Sequence, residues 1–299
     1  MTYTDRKFLA LVHMTMFRPA TLGLMALCLM PSCKKGDKEP AYVQLGTVSV
    51  APASAAEGTG SEKITDLWVF ADDEALGVWE SGSRVPVLRE GTTNLQLIAG
   101  IWRNGVRDDR IQYPYYATWN QSVELSRLST FRIDPTFEYF PNVSFWIEDF
   151  ESIGYRFEKD LGDTTMNVIT DPSLVFEGNA SGEIYVDEDH PFVRLITSET
   201  IDIQGNEPVF LELDHRNDHR FLIGTVTEAF GTVSITPYLF VAPTLRADGG
   251  MPWNKIYVDL SSLLNQPGAM NKKFYIEVQL QSGYTEGTIY VDNFKLVYR

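Results

Sequence analysis

Gly287-Thr-Ile-Tyr-Val-Asp-Asn-Phe-Lys-Leu-Val-Tyr-Arg299 ends the chain, and its reading decides the fold. Successive side chains of a strand point to opposite faces, so Ile289 and Val291 share one parity while Phe294 and Leu296 share the other. The inward face therefore changes hands at Asp292-Asn293, which is how a β-bulge reads. A carboxylate between two apolar pairs must be capped by backbone amides, matched by a cation or turned to water, because an unpaired buried charge is too costly. The strand is expected to close a β-sandwich whose other edge begins near Phe150.

Upstream of this strand the same alternation recurs in short segments. Ser144 to Asp149, Glu183 to Val186, Phe192 to Thr197, Val209 to Leu213, Phe221 to Val226, Thr232 to Phe240, Trp253 to Leu260 and Phe274 to Leu280 are separated by polar turns. With no crossover helix between them, they predict an antiparallel jelly roll over residues 144–299. Ser261 to Gln266 is the one helix-like piece, a single turn. Before it, Ile64 to Phe70, Ala75 to Trp79, Arg84 to Leu88 and Asn94 to Ala99 recur at about ten-residue spacing, which predicts a small Ig-like β-sandwich over residues 62–143. Asn104-Gly105 supplies a hairpin turn, and Phe140-Pro141-Asn142 marks the end of this first domain. The fold class is thus all-β.

The first 33 residues differ from the rest. Arg6, Lys7 and Arg18 precede an apolar run from Thr21 to Met30, and Pro31-Ser32-Cys33 closes it. That is the layout of a secretory signal, and its apolar core is too short to span a bilayer. Met14 and Met16 compete with Met1 as the start, since a complete signal follows them. Residues 34–61 then read as a charged and small-residue tether with room for a first strand at Val43 to Val50. The two cysteines, Cys28 and Cys33, both belong to the leader, so the folded part has no disulfide and no thiolate site. A net charge of −15 without a Lys/Arg stripe argues against nucleic acid and against broad adsorption to anionic lipid.

Catalysis needs an activated nucleophile, a carboxylate pair or an open metal site, and no such constellation passes a spacing test, so no catalytic residue is assigned. His215 and His219 in Asp214-His-Arg-Asn-Asp-His-Arg220 are read as a charged hairpin tip, because an i, i+4 pair shares a face only on a helix. Glu183 and Asp187 share parity, but Asp187 to Asp189 lead into Pro191 as a turn, so this acidic stretch is a loop and not a two-carboxylate strand. The aromatics of Gln112 to Trp119 are expected to pack in a core or between domains, with sugar stacking as the alternative. Tyr238, Trp253 and Tyr284 are the candidate ligand-binding aromatics of the second domain, with a core role weighed against ligand contact for Trp253.

Asp149-Phe-Glu-Ser152, Phe176-Glu-Gly-Asn-Ala-Ser181, Phe210-Leu-Glu-Leu213, Trp253-Asn-Lys-Ile-Tyr-Val258 and Ile289-Tyr-Val-Asp-Asn-Phe294, in that order, resemble the galactose-binding-like jelly rolls that include many carbohydrate-binding modules. The resemblance implies a structural Ca²⁺ tying the first strand to the last, through Glu151 and Asp292 with Asp149 as a neighbour. The spacing around Gly154 departs from the common motif. Ser32-Cys33 resembles the lipobox of bacterial lipoproteins, which implies lipidation of Cys33. Lys34-Lys-Gly-Asp-Lys-Glu-Pro40 is similar to the tags of surface-exposed lipoproteins of the Bacteroidota kind. Together the chain resembles two-domain outer-membrane lipoproteins of that type. This implies a non-catalytic protein of the cell envelope, held to the membrane by its N-terminal lipid, with a glycan or other surface ligand on the jelly roll. The alternatives are an assembly lipoprotein bound to another envelope protein and, third, a glycan-degrading enzyme.

Overall fold

A computed structural model of the chain describes residues 39–299; the leader, Cys33 and the start of the tether lie outside the described residues. Residues 39–299 form one compact unit with two apolar cores. Its first part carries β1 (Ala41–Leu45), β2 (Ser49–Val50), β3 (Asp66–Ala71), β4 (Glu74–Glu80), β5 (Arg84–Val87), β6 (Gly91–Trp102), β7 (Arg110–Gln112), β8 (Trp119–Leu125), β9 (Thr130–Ile133) and β10 (Thr136–Phe137). The second carries β11 (Ser144–Glu148), β12 (Phe157–Gly162), β13 (Met166–Ile169), β14 (Ser181–Asp187), β15 (Phe192–Thr197), β16 (Phe210–Asn217), β17 (Phe221–Ala229), β18 (Thr232–Val241), β19 (Asn254–Asp259), β20 (Met270–Gln279) and β21 (Glu286–Tyr298). The one-turn helix α1 falls at Ser261–Leu264, within the expected stretch.

The second part is an antiparallel jelly roll of two sheets. One runs β13-β14-β21-β16-β19 with β11 also on β21, and the other runs β12-β15-β20-β17-β18. Strand β21 lies inside its sheet, not at an edge: β14 pairs with its first half, β11 with its second half, and β16 with the opposite side. It is long enough to hold three neighbours, which short strands cannot do. The bulge falls where the parity switch placed it. Glu212 pairs with Lys295 and Asp214 with Asp292, so Leu213 stands opposite both Asn293 and Phe294. Asn293 takes a φ of 50°, a left-handed conformation that asparagine tolerates. The result is that Ile289, Val291, Phe294 and Leu296 all enter one core. There Phe294 meets Phe157 edge-on at 5.0 Å.

The first part pairs β5-β1-β9, β2-β10 and β4-β3-β6-β7 with β8 on β6. Two of these contacts, β1 with β9 and β2 with β10, are parallel. Its core takes in Phe210, Tyr257 and Val297 from the jelly roll, so the outer face of the six-stranded sheet is covered by the first part. The aromatics after Gln112 carry this junction. Tyr113 lies 5.1 Å from Tyr257 and 5.4 Å from Phe210, and Tyr113, Tyr115 and Tyr116 are buried. Packing is therefore their role.

Charged groups are buried at the same junction. Glu212 accepts from Tyr113 Oη at 2.6 Å and from Tyr139 Oη at 3.0 Å, and Lys255 Nζ stands 3.4 Å from its other oxygen. Asp214 accepts from Ser61 at 2.9 Å and from Asn293 at 3.1 Å. Lys295 donates to the Thr59 carbonyl at 2.9 Å, so the loop 51–61, read as a flexible linker, is held to the jelly roll by its own backbone. Burial pushes the Lys295 amine down to about 8. Burial opposes charge on Lys255 as well, yet Asp214 and Glu212 outweigh it and its pKa rises. Asp292, 1% exposed, accepts from Ser181 Oγ at 2.6 Å and from the Asn293 amide at 2.8 Å, and burial pushes its carboxyl up to about 7.

Those shifts set a dependence of stability on pH. The folded protein keeps the Asp292 proton to about 7, whereas an unfolded aspartate loses it at about 3.9. Its stabilisation is complete at or below about pH 4 and is lost as pH rises to about 7. Lys295, lowered to about 8, acts in another window: its contribution is full above about 10.4 and is lost as pH falls through about 8. Asp292→Asn should therefore abolish a fall in stability between about pH 4 and pH 7, read as the wild-type minus variant difference in urea midpoint. Parallel wild-type and variant profiles across that window would contradict the assignment.

Candidate functional site

With one sheet covered by the first part, the outer face of β12-β15-β20-β17-β18 is where the jelly roll can meet a ligand. Alternation decides what stands on it. Phe221 and Ile223 of β17 and Phe274, Ile276 and Val278 of β20 point into the core. Leu222, Tyr275 and Glu277 therefore point out. Leu222, Tyr275 and Ile196 make a small apolar cluster on this outer face. The Tyr275 ring lies directly over Gly224, where any Cβ would collide with it. Arg194 covers that ring at 5.2 Å and donates through Nε to Glu277 Oε2 at 2.7 Å, with Nη2 2.7 Å from the same oxygen.

Beside this cluster opens a groove of about 560 Å³. Leu222 and Arg220 come from β17 and the turn before it, Glu277 and Gln279 from β20, Phe240 from the edge strand β18, and Gln281 and Ser282 from the following turn. Phe240 is 59% exposed, and the Arg220 guanidinium stacks over its ring at 4.7 Å. Gln279 Nε2 donates to the Pro191 carbonyl at 3.1 Å, which fixes the amide at the groove wall. Glu277 is the single carboxylate lining the groove, and Arg194 holds it; acid and base roles in glycoside cleavage require two.

The sequence-predicted residues divide around this site. Tyr284 is 55% exposed, packs edge-on to His219 at 5.1 Å and donates its backbone amide to the Gln281 carbonyl, so it flanks the groove end. Tyr238 instead accepts from Asn104 at 3.0 Å, turning toward the first part. Trp253 rests on Phe176 at 5.2 Å and lines a second hollow of about 380 Å³ with Asn104, His215 and Phe240; it is half-buried and belongs to neither apolar core. The structure thus does not bring the three aromatics together.

Glu151 and Asp292 reach neighbouring residues: Glu151 the end of the loop before β14, and Asp292 the first residue of that strand. Glu151 accepts from the Asn179 and Ala180 amides and from Asn179 Nδ2 at 2.6, 3.2 and 2.8 Å, which hold its carboxyl below the usual range, led by the Asn179 amide. Asp292 meets Ser181, two residues on from Asn179. Asp149 is occupied by the Glu151 amide at 3.2 Å. A cation here would draw on Glu151 and Asp292 and on carbonyl oxygens; among the described residues no group of three His, Cys, Asp or Glu is placed to hold a metal.

The segment from Asp214 to Arg220 is not a charged hairpin tip. Strand β16 continues to Asn217, and Asp214, His215, Asn217 and His219 are all buried. His215 contacts Asn217 at 2.8 Å and Asn254 at 3.1 Å, and burial pushes its imidazole down to about 4. His219 Nε2 lies 3.1 Å from the Gln279 carbonyl and 3.0 Å from the Gln281 amide. These histidines brace strands, His219 behind the groove turn. The acidic stretch is a loop only at its end: Glu183 to Asp187 stand on β14 and pair with β21, and the turn begins at Glu188, with the Asp187 carboxylate accepting from the His190 amide at 2.7 Å.

No family model matches the chain, and no curated protein matches it. Among solved structures it is similar to the enzymatically active domain of bacteriophage CBA120 tailspike protein 4, at 14% identity and a TM-score of 0.36, over 50% of this chain and 20% of that one. The chain thus matches about a fifth of that tailspike's length. It is also similar to the family 11 carbohydrate-binding module of Clostridium thermocellum in complex with a β-1,3-1,4-mixed-linked tetrasaccharide, at 12% identity and a TM-score of 0.34, over 50% of this chain and 94% of that one. A carbohydrate-binding module of the β-sandwich superfamily matches at 14% identity and a TM-score of 0.34, over 77% of this chain and 84% of that one. These likenesses are slight, and the assignment to the antiparallel jelly-roll class rests on the strand order itself.

Proposed function

We propose that the protein is a non-catalytic glycan-binding protein of the cell envelope, anchored by lipid at Cys33, which holds sugar in the groove between Phe240 and Glu277. The observation that carries this reading is the exposed Phe240 ring at the rim of a groove whose other walls are a guanidinium, a carboxylate and amides. A flat apolar ring accepts the C–H face of a sugar, and the polar groups around it accept and donate to hydroxyls. The leader ending at Ser32-Cys33 supports the anchor and the outer-membrane address. The division at residues 143 and 144 into a small sandwich and a ligand-bearing jelly roll belongs to the same proposal.

Affinity electrophoresis in polysaccharide-containing gels tests the groove. Retardation on at least one glycan, lost in Phe240→Ala with the fold intact by circular dichroism, is the expected result. No retardation on any glycan, or retardation unchanged in Phe240→Ala, would overturn it. In cells, loss of the protein from the membrane fraction in Cys33→Ala is expected, and retention there would remove the anchor.

A structural Ca²⁺ at Glu151 and Asp292 is part of the same proposal, supported by the neighbouring residues Asn179 and Ser181 that the two carboxylates reach; Asp292 would give up its proton to the ion, so the pH profile above belongs to the metal-free protein. Chelation by EDTA should then lower the melting temperature, with Ca²⁺ restoring it. An unchanged melting temperature would delete the metal and leave the groove untouched.

A further inference from the structure

We infer that the glycan held in this groove carries an acidic sugar, whose anionic group is bound by Arg220 while Phe240 stacks on its ring. The inference rests on the groove being the glycan site. Two charged residues line the groove, Arg220 and Glu277. Glu277 is charge-paired, because Arg194 donates to its Oε2 through Nε at 2.7 Å and holds Nη2 2.7 Å from the same oxygen. Arg194 is spent in turn on Glu277 and, at 3.4 Å, on Asp160. Arg220 is different: among the described residues no carboxylate pairs with it and no carbonyl accepts from it, and its one contact of note is the Phe240 ring at 4.7 Å.

A guanidinium stacked on an aromatic face keeps its in-plane N–H fork directed outward, where it can take both oxygens of a carboxylate or two of a sulfate. The ring that orients it is the same ring that would carry the sugar, so the anion and the pyranose face are addressed by adjacent groups. The whole chain bears a net charge of −15, which repels polyanions at long range. An unpaired arginine in a groove of an otherwise acidic protein is thus the feature that selects an acidic glycan over a neutral one by short-range contact. The shared chemistry is an anionic sugar; a uronate and a sulfated residue are its two sources.

The test is affinity electrophoresis of the full chain in gels containing polygalacturonate, a sulfated galactan or a neutral galactan, with Arg220→Gln, Phe240→Ala and Arg107→Gln. Arg107 stacks 6.0 Å from Trp102 in the first part, so its variant controls for the change in net charge. Expected is retardation by one or both acidic polymers, weakened about tenfold in Arg220→Gln and unchanged in Arg107→Gln. The acidic polymer that retards the wild type separates the uronate from the sulfate source. Retardation by the neutral galactan at equal strength in wild type and Arg220→Gln, but lost in Phe240→Ala, would overturn the acidic class while the groove stands. Retardation by any polymer that survives Phe240→Ala, or none at all, would remove the groove and this inference with it.

Discussion

Lys295 and Glu212 face each other across the bulge of β21, in the dry space between the jelly roll and the strands that precede it. Removing charges from water costs several kcal/mol per ion, and their mutual attraction offsets this only where the remaining donors and acceptors are met. The first part meets most of them: Tyr113 and Tyr139 donate to one oxygen of Glu212, Ser61 donates to Asp214, and Thr59 accepts from Lys295, while the second Glu212 oxygen has no hydrogen bond and faces the Lys255 ammonium at 3.4 Å. Separating the two parts would strip those partners from charges that stay on the jelly roll. The arrangement therefore ties two cores into one unit and fixes which face of the jelly roll is hidden.

That constraint decides where a ligand can bind. The six-stranded sheet gives its outer face to the junction, with Phe210, Tyr257 and Val297 packed into the other core. The five-stranded sheet keeps its outer face, and with it the groove. The bulge has a part in both. By returning Phe294 and Leu296 to the core it sends Lys295 to the opposite face, where Glu212 waits. One extra residue in one strand thus builds the core and positions the junction.

Much of the scaffold was legible in the alternation of side chains. The switch from Ile289 and Val291 to Phe294 and Leu296 located the bulge, and the aromatics after Gln112 had the density of a packed interface. Alternation tells which side a residue takes, but not what covers that side. Lys255, Lys295 and Glu212 sit at positions that normally face water, and only the docking of the first part buries them. Asp214 to Arg220 misled for the same reason: Asp214, His215 and Asn217 belong to the covered strand β16, and His219 is buried in the turn after it. The central place of β21 was hidden too, since a strand's neighbours follow from long-range pairing. The groove could have been found by extending the parity of Phe221 and Phe274 to Leu222, Tyr275 and Glu277, but the stacking of Arg220 on Phe240 joins two strands that only the sheet order brings side by side.

Differential scanning calorimetry of the protein tests the shared junction most directly. If the buried charges bind the two cores into one cooperative unit, residues 39–299 melt in a single transition whose calorimetric and van't Hoff enthalpies agree. Two separated transitions, one for each core, would contradict it.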